Sequence, residues 1–434
     1  MQAKPRLLVI GQAVKPTGYA RVLQSVVSRI HPTFDILYFG MNYKGPRLQQ
    51  AGWVLEPNRL PGDIYGYEQC PSLLASFQPH LVWMCHDPIL FAIHHPIIRR
   101  FEGTRNPKVA YYCPVEFPVS SGTDPFGIST LSAADRLVAY NQFGRSEIAH
   151  SMTADASMRF STGDNIETIP HGVDTKQFYP LAGYPHKANL QASRIAARRK
   201  LFPGRPDLLD AFIVLNANRN SQRKRIDLTL EAFAKFAQNK ADVWLHLHMK
   251  PLDMGVDVLQ LAHSLGISHR LLLTSPADTL DVWHDEQLNL IYNASDVGIN
   301  TSTGEGWGLV AFEHAATGAA QIVPNHSACR ELWQAHGLLV DTVSQDVRSD
   351  MNARLDPGAS QAFAKDKGTD SGVVSVSNTA KALQSLYEDR QLLGDWSEKA
   401  YCYANAPSFH WDNIAEQWKT LFLDMLAEGE PCQI

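Results

Sequence analysis

A chain of 434 residues, 44% hydrophobic and 19% charged, is long enough for two or three globular domains with their own cores. Its 39 basic and 44 acidic residues give a formal net charge of −5, so the whole chain offers no attraction to nucleic acid or to an anionic membrane. The cysteines show no C-x-x-C pair, and no run of about 18 apolar residues occurs, which predicts reduced thiols, a cytoplasmic location and no membrane span.

Short apolar runs alternate with stretches of helical spacing, a pattern typical of strand–helix units and parallel sheets. In the first half of the chain, strands are predicted at 6–11, 34–40, 81–85, 108–113, 136–140 and 166–170. A second series is predicted at 211–217, 243–249, 270–275, 297–302 and 320–325. The two series predict two doubly wound α/β domains, and a cleft between domains is a common place for a ligand.

Three further segments complete the organisation. Residues 171–210 have the composition of a linker that includes a basic helical stretch, and the polar segment at 342–372 is interpreted as a surface insertion. The chain ends in a predicted helix, 409–427, whose tryptophans and aliphatic side chains recur at helical spacing. That apolar face is expected to dock on another element.

The segment INTSTGEGWGLVAFEHAATG sets Glu305 and Glu313 on either side of a strand-to-helix turn. Gly304, Gly306 and Gly308 would let the backbone approach a ligand, and the amides that open the helix would face its negative groups. If both acids were helical they would lie about 12 Å apart, too far for glycosidase carboxylates, so one ligand contacting both must be long. The alternative for Glu305 is a tight turn with exposed acids, whereas Glu313, in an apolar helix, needs donors such as ribose hydroxyls.

A basic run follows the strand predicted at 211–217. Arg219 and Lys224 lie in the loop before a helix that is predicted to start near Ile226. Ligands of parallel sheets bind at the carboxyl ends of strands, so these two cations could receive a phosphate leaving group. Arg223 and Arg225 add more charge than that task needs, and some members of the run are expected to face water.

Polar residues also follow strands of the first domain. The loop from Gly11 to Gly18 opens a helix but lacks the motifs of dinucleotide or triphosphate binding. His86 and Glu116 each follow a predicted strand and are expected to point toward the same cleft, although a structural role is an equal alternative for His86. No metal site is predicted, because no Asp-x-Asp occurs and the pair at 94–95 has no third ligand and is interpreted as helix surface.

These motifs resemble the retaining nucleotide-sugar glycosyltransferases of family 4, which have the GT-B fold of two Rossmann-like domains facing a cleft. EGWGLVAFE is similar to the family's E-x7-E motif, with Glu305 and Glu313 in register. NASDVGINTSTGEGWG, GLLVD and IPHGVDTKQFYP strengthen the likeness, which is greatest over 211–341. The terminal helix resembles the one that crosses back onto the first domain.

The resemblance implies a role for each matching residue. Glu305 would contact hydroxyls of the donor sugar, Glu313 would bind the ribose, and Arg219 and Lys224 would stabilise the departing diphosphate. The amides of Gly306, Trp307, Gly308 and Leu309 would hold sugar and phosphate, and Gly18 matches the glycine-rich loop of the first domain. Cys113 stands where many members carry a histidine, so Cys113 or Glu116 is expected to replace that sugar contact.

The resemblance therefore implies a metal-independent, cofactor-independent retaining glycosyltransferase. Residues 1–175 with helix 409–427 would form the acceptor-side domain, and residues 176–408 the nucleotide-sugar-binding domain. The acceptor hydroxyl, on a glycan, a lipid-linked molecule or a small molecule, is not identified, and no nucleic acid partner is expected. A basic patch of Arg99, Arg100, Arg105 and Lys108 within 99–108 would allow weak membrane contact, although a solvated face is the favoured interpretation. Two alternatives stay open: an inactive nucleotide-sugar-binding scaffold, and a GT-B sugar-nucleotide epimerase.

Overall fold

The computed structural model describes residues 3–14, 17–103, 106–118, 128–153, 166–183, 187–274, 285–343 and 372–428. Most of the predicted insertion at 342–372 lies outside these ranges. The chain divides into two compact units, unit 1 being Met1–Gly172 with Pro407–Ile434 and unit 2 being Val173–Ala406. No helix in the described ranges is long and apolar enough to cross a membrane.

Unit 1 is built on an eight-stranded sheet in the order β3-β4-β2-β1-β5-β6-β7-β8, parallel except for the β3–β4 pair. The strands are β1 (Arg6–Gly11), β2 (Asp35–Gly40), β3 (Leu48–Gln49), β4 (Trp53–Pro57), β5 (Leu81–Cys85), β6 (Lys108–Cys113), β7 (Arg136–Ala139) and β8 (Ile166–Thr168). The helices before the crossover to unit 2 are α1 (Gly18–Ile30), α2 (Cys70–Phe77), α3 (Pro88–Arg99) and α4 (Gln142–Thr153), with a short 3-10 helix at Ile128–Ala133.

Unit 2 has a six-stranded parallel sheet in the order β11-β10-β9-β12-β13-β14. Its strands are β9 (Phe212–Asn216), β10 (Val243–Leu247), β11 (Leu271–Leu273), β12 (Val297–Ile299), β13 (Ala320–Pro324) and β14 (Leu338–Val340). Its helices are α5 (Lys187–Leu201), α6 (Ile226–Phe236), α7 (Val258–Ser264), α8 (Asp285–Ala294), α9 (Leu309–Ala316), α10 (Ser327–Trp333), α11 (Val376–Glu388) and α12 (Arg390–Ala404), with 3-10 turns at Pro206–Leu208, Gln222–Lys224 and Ser268–Arg270.

All of the strands predicted from the sequence are confirmed, each with ends within three residues of the prediction. The prediction missed β3, β4 and β14. The first of these, β3, is only two residues long, too short to show a periodicity. The second, β4, contains Glu56 and ends at Pro57, residues that are depleted in strands.

The predicted terminal helix is confirmed as α13 (Trp411–Ala427), which belongs to unit 1 and packs against α1. Trp418 is fully buried, and its ring lies 4.5 Å from that of Trp83 on β5 and 4.8 Å from that of Tyr112 on β6, centroid to centroid. An ion pair of 2.6 Å between Arg29 and Asp412 fixes the start of the helix. The last helix of the chain therefore completes the core of unit 1.

The prediction that the pair at 94–95 lies on a helix surface is wrong for His94. His94 is fully buried in α3, where its Nδ1 lies 2.9 Å from the Leu90 carbonyl oxygen. The basic helical stretch of the expected linker is part of α5, and its Arg198 is almost completely buried and satisfied by carbonyl oxygens and Asp296. Polar side chains can occupy a core once each donor has a partner, a condition that composition does not reveal.

Truncating Trp418 should weaken unit 1. We expect Trp418→Ala to cost about 3–5 kcal/mol, the range for removing a large buried aromatic side chain. Hydrogen exchange of the β5 amides would report this loss. Leu423→Ala, at a 39% exposed position on the same helix, is the control and should change protection by less than about 1 kcal/mol. Equal effects of the two variants would contradict the assigned packing.

Buried histidines should make unit 2 sensitive to acid. Burial lowers the pKa of His246 to about 3, and His314 has a pKa of about 3 for the same reason. An unfolded histidine titrates near pH 6.5, so the unfolded state binds more protons between these values, and stability falls as the pH drops below about 6.5.

The histidine effect can be measured by urea unfolding at several pH values. Each buried histidine should add a slope of at most about 1.4 kcal/mol per pH unit. His246→Asn should reduce that slope, whereas His263→Asn, at an exposed position on α7, should leave it unchanged. An unaltered slope in His246→Asn would show that another group carries the acid sensitivity.

Candidate functional site

The strand order of unit 2 marks one position on its sheet as special. From β9 the chain proceeds to β10 and β11 on one side and then crosses to β12 on the other. Open parallel sheets bind ligands at the carboxyl ends of strands beside such a switch point. The basic run leaves the carboxyl end of β9, and the glycine-rich segment with Glu305 leaves that of β12.

Glu305 is the centre of the contacts at this switch point. Its Oε1 accepts hydrogen bonds from Lys224 Nζ and, at 3.1 Å, from Asn300 Nδ2. Its Oε2 accepts a hydrogen bond of 3.2 Å from Arg223 Nη1, and its backbone N–H donates to Ser327 Oγ at 3.1 Å. The residue is only 4% exposed, so the alternative of a solvent-exposed acid at this position is wrong.

The two cations determine the charge of Glu305. Burial by itself favours the neutral acid, but Lys224 and Arg223, with hydrogen bonds from Lys224 and Asn300, outweigh burial and lower the pKa to about 2. The carboxyl group is therefore ionised throughout the neutral range. It can accept hydrogen bonds from ligand hydroxyls, and it cannot serve as a proton donor at neutral pH.

Local backbone structure sets this geometry in advance. The residues Gln222–Lys224 form a 3-10 turn that ends at Arg225, which has a left-handed φ of +48°. Thr301 Oγ1 donates to the Arg225 carbonyl oxygen at 2.8 Å, and Thr303 N donates to the Arg223 carbonyl oxygen at 2.9 Å. Hydrogen bonds to the backbone thus join the two loops at the switch point. They fix the backbone positions from which the charged side chains extend.

The helix after Glu305 begins as the sequence predicts. Gly308 adopts φ +92°, a conformation that favours glycine, and α9 starts at the next residue, Leu309. Trp307 is buried, with its ring stacked on that of Phe312 at 4.9 Å. The indole therefore belongs to the core, so a ligand contact at 306–309 would come from the backbone.

Glu313 is 4% exposed on α9. Its Oε2 accepts a hydrogen bond of 2.8 Å from the hydroxyl of Tyr292 on α8. Tyr292 therefore supplies one of the hydrogen-bond donors that a buried carboxylate at this position needs. A role for Glu313 in binding a ribose stays a prediction.

Arg219 lies apart from Glu305. Its guanidinium makes a bidentate pair with Asp253, with Nε–Oδ2 and Nη2–Oδ1 distances of 2.7 and 3.1 Å, and its side chain is 65% exposed. The structure thus brings Lys224 to Glu305 together with Arg223, a residue that the sequence reasoning treated as surplus charge. Arg225, expected among the candidates for water contact, is instead buried and paired with Asp227.

Unit 1 has its own switch point, between β1 and β5. His86, directly after β5, stacks on Tyr19 with 4.7 Å between ring centroids, and its Nε2 lies 2.9 Å from the side-chain nitrogen of Gln12. The Tyr19 hydroxyl donates to Asp87 Oδ1 at 2.7 Å. The predicted Gly18 is the first residue of α1, beside Tyr19. These residues form a polar cluster at the carboxyl edge of the first sheet.

Glu116 and Cys113, the two candidates for the missing family histidine, differ in environment. Burial raises the pKa of the Cys113 thiol well above its usual value, and the thiol is fully buried. Glu116 is half-buried. Burial raises the pKa of Tyr19, and the negative charges of Asp87 and Glu116 act in the same direction. Glu116 therefore lies within electrostatic range of the polar cluster, while Cys113 stays a neutral core residue.

Two further predictions concern a metal site and the basic patch at 99–108. No group of three or more His, Cys, Asp or Glu side chains within the described ranges has the arrangement of a metal site. In the basic patch at 99–108, Arg99 pairs with Asp135 at 2.7 Å, which offsets part of the positive charge, and Arg105 lies outside the described residues.

The family comparison concerns unit 2. Residues 211–353 match the family model described as "Glycosyl transferases group 1". This segment contains Arg219, Lys224, Glu305 and Glu313, and it covers a third of the chain.

Curated relatives match at low identity. The chain is 30% identical over 196 residues to a D-inositol 3-phosphate glycosyltransferase of Geodermatophilus obscurus, covering 43% of this chain and 37% of the relative. It is 25% identical over 192 residues to a mannosylfructose-phosphate synthase of Agrobacterium fabrum, covering 42% and 38%. The matches thus span less than half the length of these relatives.

Solved structures match over nearly the whole chain. Sucrose-phosphate synthase from Thermosynechococcus elongatus superposes with a TM-score of 0.70 at 17% identity, covering 98% of this chain and all of that one. Anabaena Alr3699/HepE in complex with UDP-glucose gives a TM-score of 0.66 at 15% identity, covering 96% and 99%. At such identities the likeness shows the fold alone, and it confirms that this chain has the GT-B fold, with a unit 2 segment similar to the glycosyl transferases of group 1.

Proposed function

We propose that this protein is a retaining glycosyltransferase that moves a sugar from a nucleotide-diphosphate sugar to an acceptor hydroxyl without a metal ion. One observation carries the proposal: Glu305 is buried and ionised between Lys224 and Arg223 at the switch point of unit 2. The match of the same segment to glycosyl transferases of group 1 supports it.

The charges at the switch point suit a diphosphate. Lys224 and Arg223 carry two positive charges against the one negative charge of Glu305, which leaves an excess of one before the dipole of α9 is counted. The amides that open α9 add about half a positive charge directed at an anion near the helix start. A departing diphosphate would find positive charge that is already in place, which is how preorganised sites lower barriers.

Glu305 has a different task from the cations. Because its carboxylate is ionised and held by three donors, it offers acceptor capacity to sugar hydroxyls at a fixed position. Its charge also keeps Lys224 extended toward the switch point. Glu305 therefore orients the sugar, and the cations take up charge on the leaving group.

The proposed reaction balances without a protein base. The bond from the anomeric carbon to the diphosphate oxygen breaks through an oxocarbenium-like state, and the acceptor oxygen bonds to the same face of that carbon. The acceptor proton passes to a phosphate oxygen of the leaving group. The products are the glycoside and a nucleoside diphosphate.

We assign acceptor recognition to unit 1. At its own switch point, the cluster of Tyr19, His86 and Asp87 with Glu116 in electrostatic range keeps its predicted role on the donor side, where His86 and Glu116 would contact the sugar. The relatives named for D-inositol 3-phosphate and mannosylfructose phosphate suggest polyhydroxylated phosphates as the first acceptors to test.

A turnover assay tests the function directly. The protein is incubated with labelled UDP-, GDP- and ADP-sugars, with and without D-inositol 3-phosphate or a hexose phosphate, and products are separated. Transfer to an acceptor with retained configuration in the presence of a chelator supports the proposal. A new sugar nucleotide without acceptor would indicate an epimerase, and donor binding without any product across an extended acceptor panel would indicate a scaffold.

Removing the cations should slow the chemistry. We expect Lys224→Ala and Arg223→Ala each to lower kcat by more than ~100-fold, the effect of losing one preorganised charge-stabilising donor. Arg270→Ala, whose half-buried guanidinium packs on Trp244 elsewhere in unit 2, is the control and should keep wild-type turnover. Unchanged kcat in Lys224→Ala would contradict its role at the leaving group.

Neutralising Glu305 should separate binding from transfer. In Glu305→Gln the cations lose their internal counter-charge, so the nucleoside diphosphate that the wild type binds best should bind as tightly or more tightly. The sugar loses its acceptor carboxylate, and kcat should fall at least about tenfold, consistent with loss of a charged hydrogen bond. Calorimetry and turnover measure the two effects, and a loss of diphosphate affinity with unchanged kcat would reverse the assignment.

A further inference from the structure

A cavity of about 360 Å³ lies in unit 2 at the sheet edge opposite Glu305. Ala211 and Asp296 line it, and these residues directly precede β9 and β12. The remaining walls come from α5 and from the first two turns of α12, with Leu190 and Leu393 as apolar surface. The cavity is therefore separate from the carboxyl-edge site, although both sites adjoin the same pair of strands.

Positive charge exceeds negative charge around this cavity. Asp296 pairs with Arg194 at 3.2 Å and with Arg198 at 2.6 Å, and Arg390 also lines the cavity. Three arginines against one buried carboxylate leave an excess of two positive charges. Asp210, exposed at the rim, reduces the excess to one.

The three arginines are not equivalent. Arg198 donates to three backbone carbonyl oxygens as well as to Asp296, so its role is structural. Arg390 is exposed, and its guanidinium lies over the rings of Phe212 and Tyr387, at 5.1 and 5.5 Å from their centroids. No hydrogen-bond acceptor for Arg390 occurs among the residues that the structure describes, and the residue lines the cavity.

Repulsion between the neighbouring arginines is unfavourable, and a bound anion would reduce it. Burial lowers the pKa of Arg194, and the charges of Arg198 and Arg390 act in the same direction against the attraction of Asp296. Repulsion between partly buried cations is relieved when a negative group binds between them.

The buried hydroxyl of Ser397 is a second, independent indication that a polar ligand binds here. It lines the cavity on α12 and is fully buried, yet its hydroxyl has no hydrogen-bond partner within the described part of the chain. A mid-helix serine usually bonds the carbonyl four residues earlier, and a buried hydroxyl without a partner is costly. Arg390, Leu393 and Ser397 share one face of the helix, and all three line the cavity.

We propose that this cavity is a second binding site, which takes a small phosphate monoester with its phosphate on Arg194 and Arg390 and one of its hydroxyl groups on Asp210. A phosphate group would be attracted by the excess of positive charge, and paired guanidinium groups are well suited to its oxygens. The cavity volume is at the lower end of the range for small-molecule sites, which fits a ligand of this size.

Calorimetry with glycerol 3-phosphate and inorganic phosphate, at constant ionic strength, tests the site. We expect saturable binding of glycerol 3-phosphate to the wild type that weakens at least about tenfold in Arg390→Gln, the effect of losing one charged hydrogen-bond donor. Arg390→Lys should keep part of the affinity. Arg270→Gln, which changes a half-buried arginine over Trp244, should keep all of it. Equal affinity in the wild type and Arg390→Gln would overturn the proposal.

Two further variants distinguish this cavity from the carboxyl-edge site and from a purely structural cluster. Lys224→Ala should bind glycerol 3-phosphate as the wild type does, and loss of binding there would place the phosphate at the carboxyl-edge site and overturn the proposal. Ser397→Ala should fold at least as stably as the wild type, because it removes an unpaired buried hydroxyl. Weaker binding in this well-folded variant supports the site, whereas unchanged binding of both phosphates in Ser397→Ala and Arg390→Gln means that the cluster is structural.

Discussion

The candidate site of unit 2 depends on one buried carboxylate and the cations that keep it ionised. Taking Glu305 out of water without partners would cost several kcal/mol, and Lys224, Arg223 and Asn300 offset that cost with a charge or a hydrogen bond each. Buried ion pairs seldom improve stability over well-packed apolar residues. Their presence at a switch point, with backbone amides beside them, is better explained by the ligand that such a site would bind.

The sequence predicts the location of this site better than its internal contacts. Strand positions follow from local periodicity, and the rule that ligands bind at carboxyl ends then places the basic run and the Glu305 segment together. Which cation reaches the acid is a different question, because Arg223 and Glu305 are 82 positions apart. The partner is selected by the 3-10 turn and the left-handed Arg225, which turn Arg223 and Lys224 toward β12 and leave Arg219 with Asp253.

The wrong predictions from the sequence share a physical cause. The sequence places His94 on a helix surface, leaves an exposed alternative for Glu305 and does not predict the burial of Arg198, yet all three are buried. Burial of such groups depends on donors and acceptors contributed by distant segments, as when Arg198 bonds carbonyl oxygens near both β9 and β12. Composition and spacing report the number of polar groups, whereas tertiary structure decides which of them find partners.

The short strand β12 connects the two charged regions of unit 2, the cavity beside Asp296 and the site around Glu305. The strand β12 has only three residues, with Asp296 immediately before it and Asn300 immediately after it. Asp296 accepts the backbone N–H of Ile213 at 2.7 Å, and the backbone N–H of Asn300 donates to Ile322 at 2.9 Å, so neighbouring strands hold both ends. A strand anchored in this way cannot shift along its axis without breaking the hydrogen bonds at both of its ends. The Asn300 amide therefore meets Glu305 from a fixed position before any ligand arrives, which is the condition under which prearranged charge is effective in catalysis.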